Sequence, residues 1–177
     1  MGCVNLPRLP DGTPVGIRPM VPADRRWLAA AVERLSPTSR YSRFLSPMRT
    51  LDEAMLARLV DSVDGVDHVA VVATLDPGGP ADARAAVGRY VRWPQEPATA
   101  EMAITVTDVV QGRGIGRVVA ADLARRAREG GITTFTAVVG ADNTASVRTL
   151  ARLGTVTQQS FSSPGVLELR VDLGSPV

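Results

Sequence analysis

Cysteine is almost missing from this chain of 177 residues: Cys3 is the only one. No internal disulfide can form, which sets aside the small disulfide-framed secreted folds and fits a reducing compartment. Charge of one sign is also missing. The net charge is +2, too small to argue for nucleic acid, and the pI of about 9.3 reflects arginine use and little more. No apolar run is long enough to span a bilayer. The N-terminus has no apolar core of a signal peptide, and Pro7 and Pro10 interrupt it. Leu6 stands where a myristoylation motif needs Ser or Thr. These absences give the expectation of a cytoplasmic protein that uses neither membrane nor nucleic acid. A metal is not expected either.

What is present is enough for a core: 45% of residues are hydrophobic and 21% charged. The length favours one domain, expected over residues 15–174 after a flexible Pro- and Gly-rich segment, 1–14. A strand is read at 15–18 and a helix at 22–35, where Trp27, Leu28, Ala31 and Leu35 share one face. Residues 36–47 read as an irregular connection. A second helix is expected at 51–60, with Thr50 as cap and Glu53 three residues on. The near-continuous apolar run at 68–75 reads as a central strand with His68 in its core or at its rim. Asp76-Pro77-Gly78-Gly79-Pro80 makes a turn into a returning strand at 84–93. Further on come a strand at 100–106, a helix at 115–129 stopped by Gly130-Gly131, and a strand at 134–139. A short helix capped by Asn143 and two closing strands, 155–161 and 166–172, complete the chain. The order β-α-α-β-β-β-α-β-α-β-β implies an α/β class with one mixed sheet. Its strands at 100–106 and 134–139 lie parallel, joined through a helix.

The chain is organised around residues 100–116. Ala100, Met102, Ile104 and Val106 alternate with Glu101, Ala103 and Thr105, so the strand buries one face. Asp108 ends it as a turn residue. Then comes Gln111-Gly112-Arg113-Gly114-Ile115-Gly116, opening a helix. Glycines in such a loop let several amides point into one concavity at a helix N-terminus, a site suited to phosphate. It is not a P-loop, because Arg117-Val118 stands where Lys-Ser or Lys-Thr is needed. It is not a dinucleotide fingerprint, because its glycines are spaced G-x-G-x-G.

Gln-x-x-Gly-x-Gly after an alternating strand resembles the signature of the GCN5-related N-acetyltransferases (GNAT), and the resemblance covers about residues 15–173. It implies that the amides from Gln111 through Gly116, with Arg117 adjoining, hold the pyrophosphate of acetyl-CoA. It also implies that the backbone of Ile104, Thr105 and Val106 pairs with the pantetheine arm and supplies an oxyanion donor where two parallel strands part. Asn143-x-x-Ser146 with Gly154 fits the family's second motif, so Asn143 is expected to hold the coenzyme, to cap its helix, or both. Leu150 stands where many relatives carry a tyrosine that protonates the departing thiolate. Glu101, ten residues before Gln111, matches the catalytic glutamate of bacterial protein lysine acetyltransferases. It is a candidate general base, since a lysine with pKa near 10.4 must lose a proton before it can attack. Ser39-Arg40-Tyr41-Ser42-Arg43-Phe44 resembles the same enzymes' acceptor-side segment, although Arg40, Arg43 and Arg49 are also read as ordinary loop charges. The reading is therefore acetyl transfer to a primary amine, with a protein lysine favoured. A small-molecule amine acetyltransferase and a catalytically weak coenzyme A-binding module stay open. The acceptor and the oligomeric state are not fixed by the sequence.

Overall fold

A computed structural model describes residues 6–75, 77 and 83–174. Cys3 and the greater part of the turn Asp76-Pro77-Gly78-Gly79-Pro80 lie outside the described residues. Seven strands form one sheet in the order β1-β2-β3-β4-β5-β7-β6. They are β1 (Val15–Pro19), β2 (His68–Leu75), β3 (Arg84–Trp93), β4 (Glu96–Val106), β5 (Thr134–Gly140), β6 (Thr155–Ser163) and β7 (Val166–Asp172). Every neighbouring pair is antiparallel except β4 and β5. Those two join through α4 (Ile115–Glu129), the crossover that a parallel pair requires.

Two cores flank the sheet. On one face α4 buries Ile115, Val119, Leu123 and Ala127 against β3 and β4. It comes so close that a Cβ at Gly88 would stand 2.4 Å from Val119 Cγ1, so β3 needs a glycine there. On the other face α1 (Arg25–Arg34), α2 (Pro37–Phe44) and α3 (Glu53–Leu56, prolonged as a π turn through Asp61) cover Ala70, Val72 and Val87. Because both faces are covered, Val69 through Ala73 on β2 are all buried, which explains the unbroken apolar run. Trp27 packs on this second core, with the Arg84 guanidinium 4.9 Å over its ring. α5 (Thr144–Ala151) sits beside α4, and Gly154 follows it. A Cβ at Gly154 would fall 1.8 Å from the Asp172 carbonyl oxygen, so that close approach to the end of β7 admits no side chain.

Three local expectations change. Residues 37–44 form a helix, α2, rather than an irregular connection. Ser36 caps it, its Oγ accepting from Ser39 N at 3.1 Å, and Pro37 occupies the first turn. No α2 residue is fully buried, so no apolar periodicity announced the helix. The cap of α3 is Asp52, whose carboxylate accepts from Met55 N at 2.8 Å, rather than Thr50. Finally, the described part of the segment expected to be flexible, Leu6 to Pro14, packs on the body. Leu9 is buried, and Asp11 pairs with Arg113 at 2.8 Å.

All twenty basic residues of the chain are arginine. Guanidinium groups therefore make every side-chain ion pair among the described residues. One of them is the fork from Arg18 to the buried Asp24, at 2.6 and 2.7 Å, that fastens β1 to the start of α1.

Candidate active site

The parallel pairing of β4 with β5 is short. It joins Thr99 to Thr134, Ala100 to Phe135 and Glu101 to Thr136, and there it stops, although β4 runs on to Val106 and β5 to Gly140. Beyond Glu101 the strands part and leave a gap. Strand alternation decides which groups face it. Thr107 N donates to Ala85 O on β3, and Ala98 O accepts from Thr133 N on the β5 side. Odd-numbered residues of β4 thus turn their backbone to β3, and even-numbered residues turn theirs to the gap. Ile104 and Val106 present N–H and C=O to the gap, where Val106 O already accepts from Gln111 Nε2 at 3.1 Å. Thr105 does not: its backbone faces β3, opposite Val87, and its side chain points to the face covered by α1 and α2. Of the three positions expected to meet the pantetheine arm, Ile104 and Val106 turn their backbone to the gap, while Thr105 turns its backbone to β3 and still lines the cleft.

The gap opens into a long cleft, bounded by β4, the glycine loop, the start of α4, β5 and α5. Gly112 and Gly114 adopt φ of +76° and +93°, left-handed conformations that side chains rarely take. As a result the amides of Gly112, Arg113, Gly114, Ile115 and Gly116 find no acceptor among the described residues. Five donors at the positive end of a fifteen-residue helix form an anion cradle with nothing internal to fill it. The Arg117 guanidinium lies on the cleft wall with no hydrogen bond or ion pair among the described residues. The guanidiniums of Arg148 on α5 and Arg152 just after it, which sequence reading left out, line it in the same state. Arg113 is already engaged, donating to Asp11 and to Thr13 Oγ1 at 3.2 Å.

Gln111 has an internal task. Its amide donates to Ser39 Oγ at 3.0 Å and to Asp108 Oδ1 at 3.2 Å. Asp108 in turn accepts from Ser36 N at 2.7 Å, from Ser36 Oγ and from Ser39 Oγ. Burial pushes the Asp108 carboxyl up, but these donors and the Arg40 charge outweigh it and hold it below the usual carboxylate range. Read from sequence as a turn residue, Asp108 ties α2 to the glycine loop. The knot of Ser36, Ser39, Asp108 and Gln111 spans more than seventy residues of chain, which is why spacing did not show it.

Asn143 caps α5, with Oδ1 accepting from Ser146 N at 3.1 Å, and its side chain also lines the cleft. Leu150 is buried in the core under α4 and forms part of the cleft wall. Glu101 lies exposed at the point where the strands part, on the face covered by α2. Its parallel neighbour Thr136 is buried, and Thr136 Oγ1 is the only buried side-chain polar atom without a partner among the described residues. His68 is half-buried: Arg89 donates to its Nε2 at 3.3 Å, and Ser62 Oγ lies 3.1 Å from Nδ1. Burial, then the Arg89 charge, pushes its imidazole below the ordinary value. A neutral histidine on the far side of β3 positions Arg89 and is not part of the cleft.

An acetyltransferase of Pseudomonas aeruginosa is 32% identical over 151 residues, which make up 85% of this chain and 80% of that one. The crystal structure of the GNAT domain of S. lividans PAT superposes with a TM-score of 0.79 and 32% identity, covering 93% of this chain and 94% of that domain. The chain belongs to the GNAT family. The model of a family described as FR47-like protein matches residues 83–160, the part that carries β4, the glycine loop and α5. Acetyltransferase Pat of Mycolicibacterium smegmatis is 40% identical over 141 residues, and this chain spans 40% of its length. As a GNAT enzyme, the protein is an N-acetyltransferase. The Salmonella typhimurium yncA structure with its cofactor acetyl-CoA, at 19% identity and a TM-score of 0.72, shares the fold. Among the described residues no helix is long and apolar enough to cross a membrane.

Proposed function

We propose that this GNAT enzyme transfers the acetyl group of acetyl-CoA to a primary amine, with Glu101 as general base and a protein lysine as the acceptor. The observation that carries the reading is the juxtaposition of two features on one strand. β4 opens a gap bordered by unpaired backbone, and it ends in five amides without internal acceptors. Acetyl-CoA suits both: its pyrophosphate is the anion for the amides of Gly112 to Gly116, and its amide-containing arm can pair with β4 as an added strand. Arg117, Arg148 and Arg152 give the cleft wall the charge that a polyanionic coenzyme needs.

The chemistry follows from these positions. A protonated lysine amine near pH 7 has no lone pair to attack with. Glu101, at the mouth of the gap, accepts that proton directly or through water. The free amine attacks the thioester carbonyl, whose oxygen gains negative charge. The Ile104 or Val106 N–H, facing the gap, is placed to donate to it. Collapse re-forms the carbonyl, breaks the C–S bond to release the thiolate, and gives the nitrogen's surplus proton to water. Leu150 supplies no acid to protonate the sulfur, and a thiol pKa near 8.5 lets it leave without one. Leu150→Met is therefore expected to keep most of the activity while preserving volume. A loss of several hundredfold in the folded variant would give the position a chemical role.

The direct test is to incubate purified protein with acetyl-CoA and follow thiol release against small amines, lysine peptides and a cell lysate. Acceptor-dependent release with an acetylated lysine product is expected. Release that depends only on small amines would move the assignment to a small-molecule acetyltransferase. Coenzyme binding without any release would leave a binding module.

A further inference from the structure

A second cavity lies across β4 from the coenzyme cleft, under α1 and α2. Its walls include Trp27, Leu35, Phe44 and Leu59, with Ala103 and Thr105 of β4 as its floor. Two guanidinium groups, Arg43 of α2 and Arg89 of β3, also line it. Arg43 borders the coenzyme cleft as well, so it stands where the two spaces meet. The cavity holds about 30 Å³, room for roughly two water-sized groups.

Both cations face this cavity, and neither meets a carboxylate there among the described residues. Arg89 is 6% exposed, donating to Leu59 O at 2.9 Å and to neutral His68, neither of which carries a negative charge. Arg43 has the Phe44 ring 5.0 Å from its guanidinium, which makes no hydrogen bond among the described residues. Neither has a carboxylate within ion-pair distance among the described residues, whereas ten other pairs are satisfied. Burial and the neighbouring Arg43 charge push Arg89 down to about 9, so it is still protonated at neutral pH. Burial pushes Arg43 down too, and the charge that opposes this comes from Glu101. A buried and a part-buried cation facing one cavity repel each other and carry a desolvation cost that an anion offsets well.

The geometry points to an anion subsite: Arg43 and Arg89 receive a carboxylate that the acceptor carries on the same molecule as its amine. The arrangement is dipolar, with the Glu101 carboxylate at the gap for the ammonium end and two guanidiniums beyond it for the carboxylate end. Apolar walls between them suit methylene groups. The cavity admits a carboxylate's two oxygens and not a bulky body, so the rest of the acceptor stays in the open cleft. The inference rests on the amine-transfer reading for the role of the subsite, but not for its binding of anions. A free amino acid and a lysine peptide with an acidic neighbour both present this chemistry.

The test compares acceptors that differ only in the carboxylate. One pair is a straight-chain ω-amino acid and the alkylamine of the same length. The other is a lysine peptide with a flanking Glu and its Gln counterpart. In the wild-type enzyme kcat/KM should favour the carboxylate member of at least one pair by roughly tenfold to a hundredfold. The pair that shows the preference identifies the source. In Arg43→Gln that ratio should fall to about one, while Arg43→Lys restores part of it. Because burial makes Arg89 variants prone to unfold, Arg43 carries the test. A second readout needs no turnover: a straight-chain carboxylate without an amine should raise the melting temperature of the coenzyme A complex in wild type and not in Arg43→Gln. Carboxylate binding without transfer to any amine would uphold the subsite and overturn the amine-transfer reading. Equal kcat/KM within both pairs, with no stabilisation by the carboxylate, would overturn the subsite and leave that reading standing.

Discussion

Replacing Glu101 by glutamine is expected to lower the maximal rate of amine acetylation by roughly 10²–10⁴ at neutral pH, the size of a lost general base. Glutamine keeps the shape and removes the proton acceptor. Glu101 is exposed where the β4–β5 pairing ends, away from the amides of Gly112 to Gly116, so the affinity for acetyl-CoA should hardly change. The signature lies in the pH profile. An amine with pKa near 10.4 exists as free base to about one part in a thousand near pH 7.4 and gains roughly tenfold per unit above it. The defect should therefore shrink as pH rises toward the amine pKa. Steady-state kinetics between pH 7 and about 10, with coenzyme binding measured separately, checks this. Full activity at pH 7, or a pH-independent defect with weakened coenzyme binding, would make Glu101 a structural residue.

A glutamate at Gly114 should abolish coenzyme binding. Three effects add there. The position has φ of +93°, strained for any side chain, and a new Cβ would lie 3.2 Å from Pro10 Cδ. The carboxylate would also enter the concavity toward which the loop amides point, repelling pyrophosphate. Acetyl-CoA at a hundred times its wild-type dissociation constant should stabilise the native protein by about 2.7 kcal/mol. In Gly114→Glu this stabilisation should vanish from a thermal titration while the apo protein still melts cooperatively. An undiminished shift in a folded variant would remove the loop from the binding site.

Period-two alternation from Ala100 to Val106 and the glycine loop after it could be read directly, because strand, turn and helix start each leave a local mark. The parallel relation of β4 and β5 followed from the helix between them. What escaped the sequence depends on distant partners. The α2 helix has no buried residue, and only Ser36 and Pro37 announced it, a cap and a first-turn proline passed over in favour of a loop. Asp108 looked like a local turn, because Ser36 and Ser39 lie about seventy residues upstream. Thr105 was grouped with Ile104 and Val106, because a strand's sequence does not say which neighbour each residue's backbone faces. The Ala85 to Thr107 hydrogen bond settles that. Arg43 read as a loop charge until the fold set it beside a buried Arg89.

The exclusive use of guanidinium for positive charge has a chemical consequence of its own. A catalyst that acylates primary amines is surrounded by a thioester reactive toward any exposed amine, including those on its own surface. Within these 177 residues there is no side-chain amine to react. Guanidinium stays protonated at neutral pH and is a poor nucleophile. The protein's surface cations cannot be consumed by the reagent it handles, so its ion pairs and cleft charge persist at any acetyl donor concentration. In practice, lysine acetylation detected in an assay mixture must come from the acceptor, and amine-directed cross-linkers or dyes will leave the cleft arginines untouched.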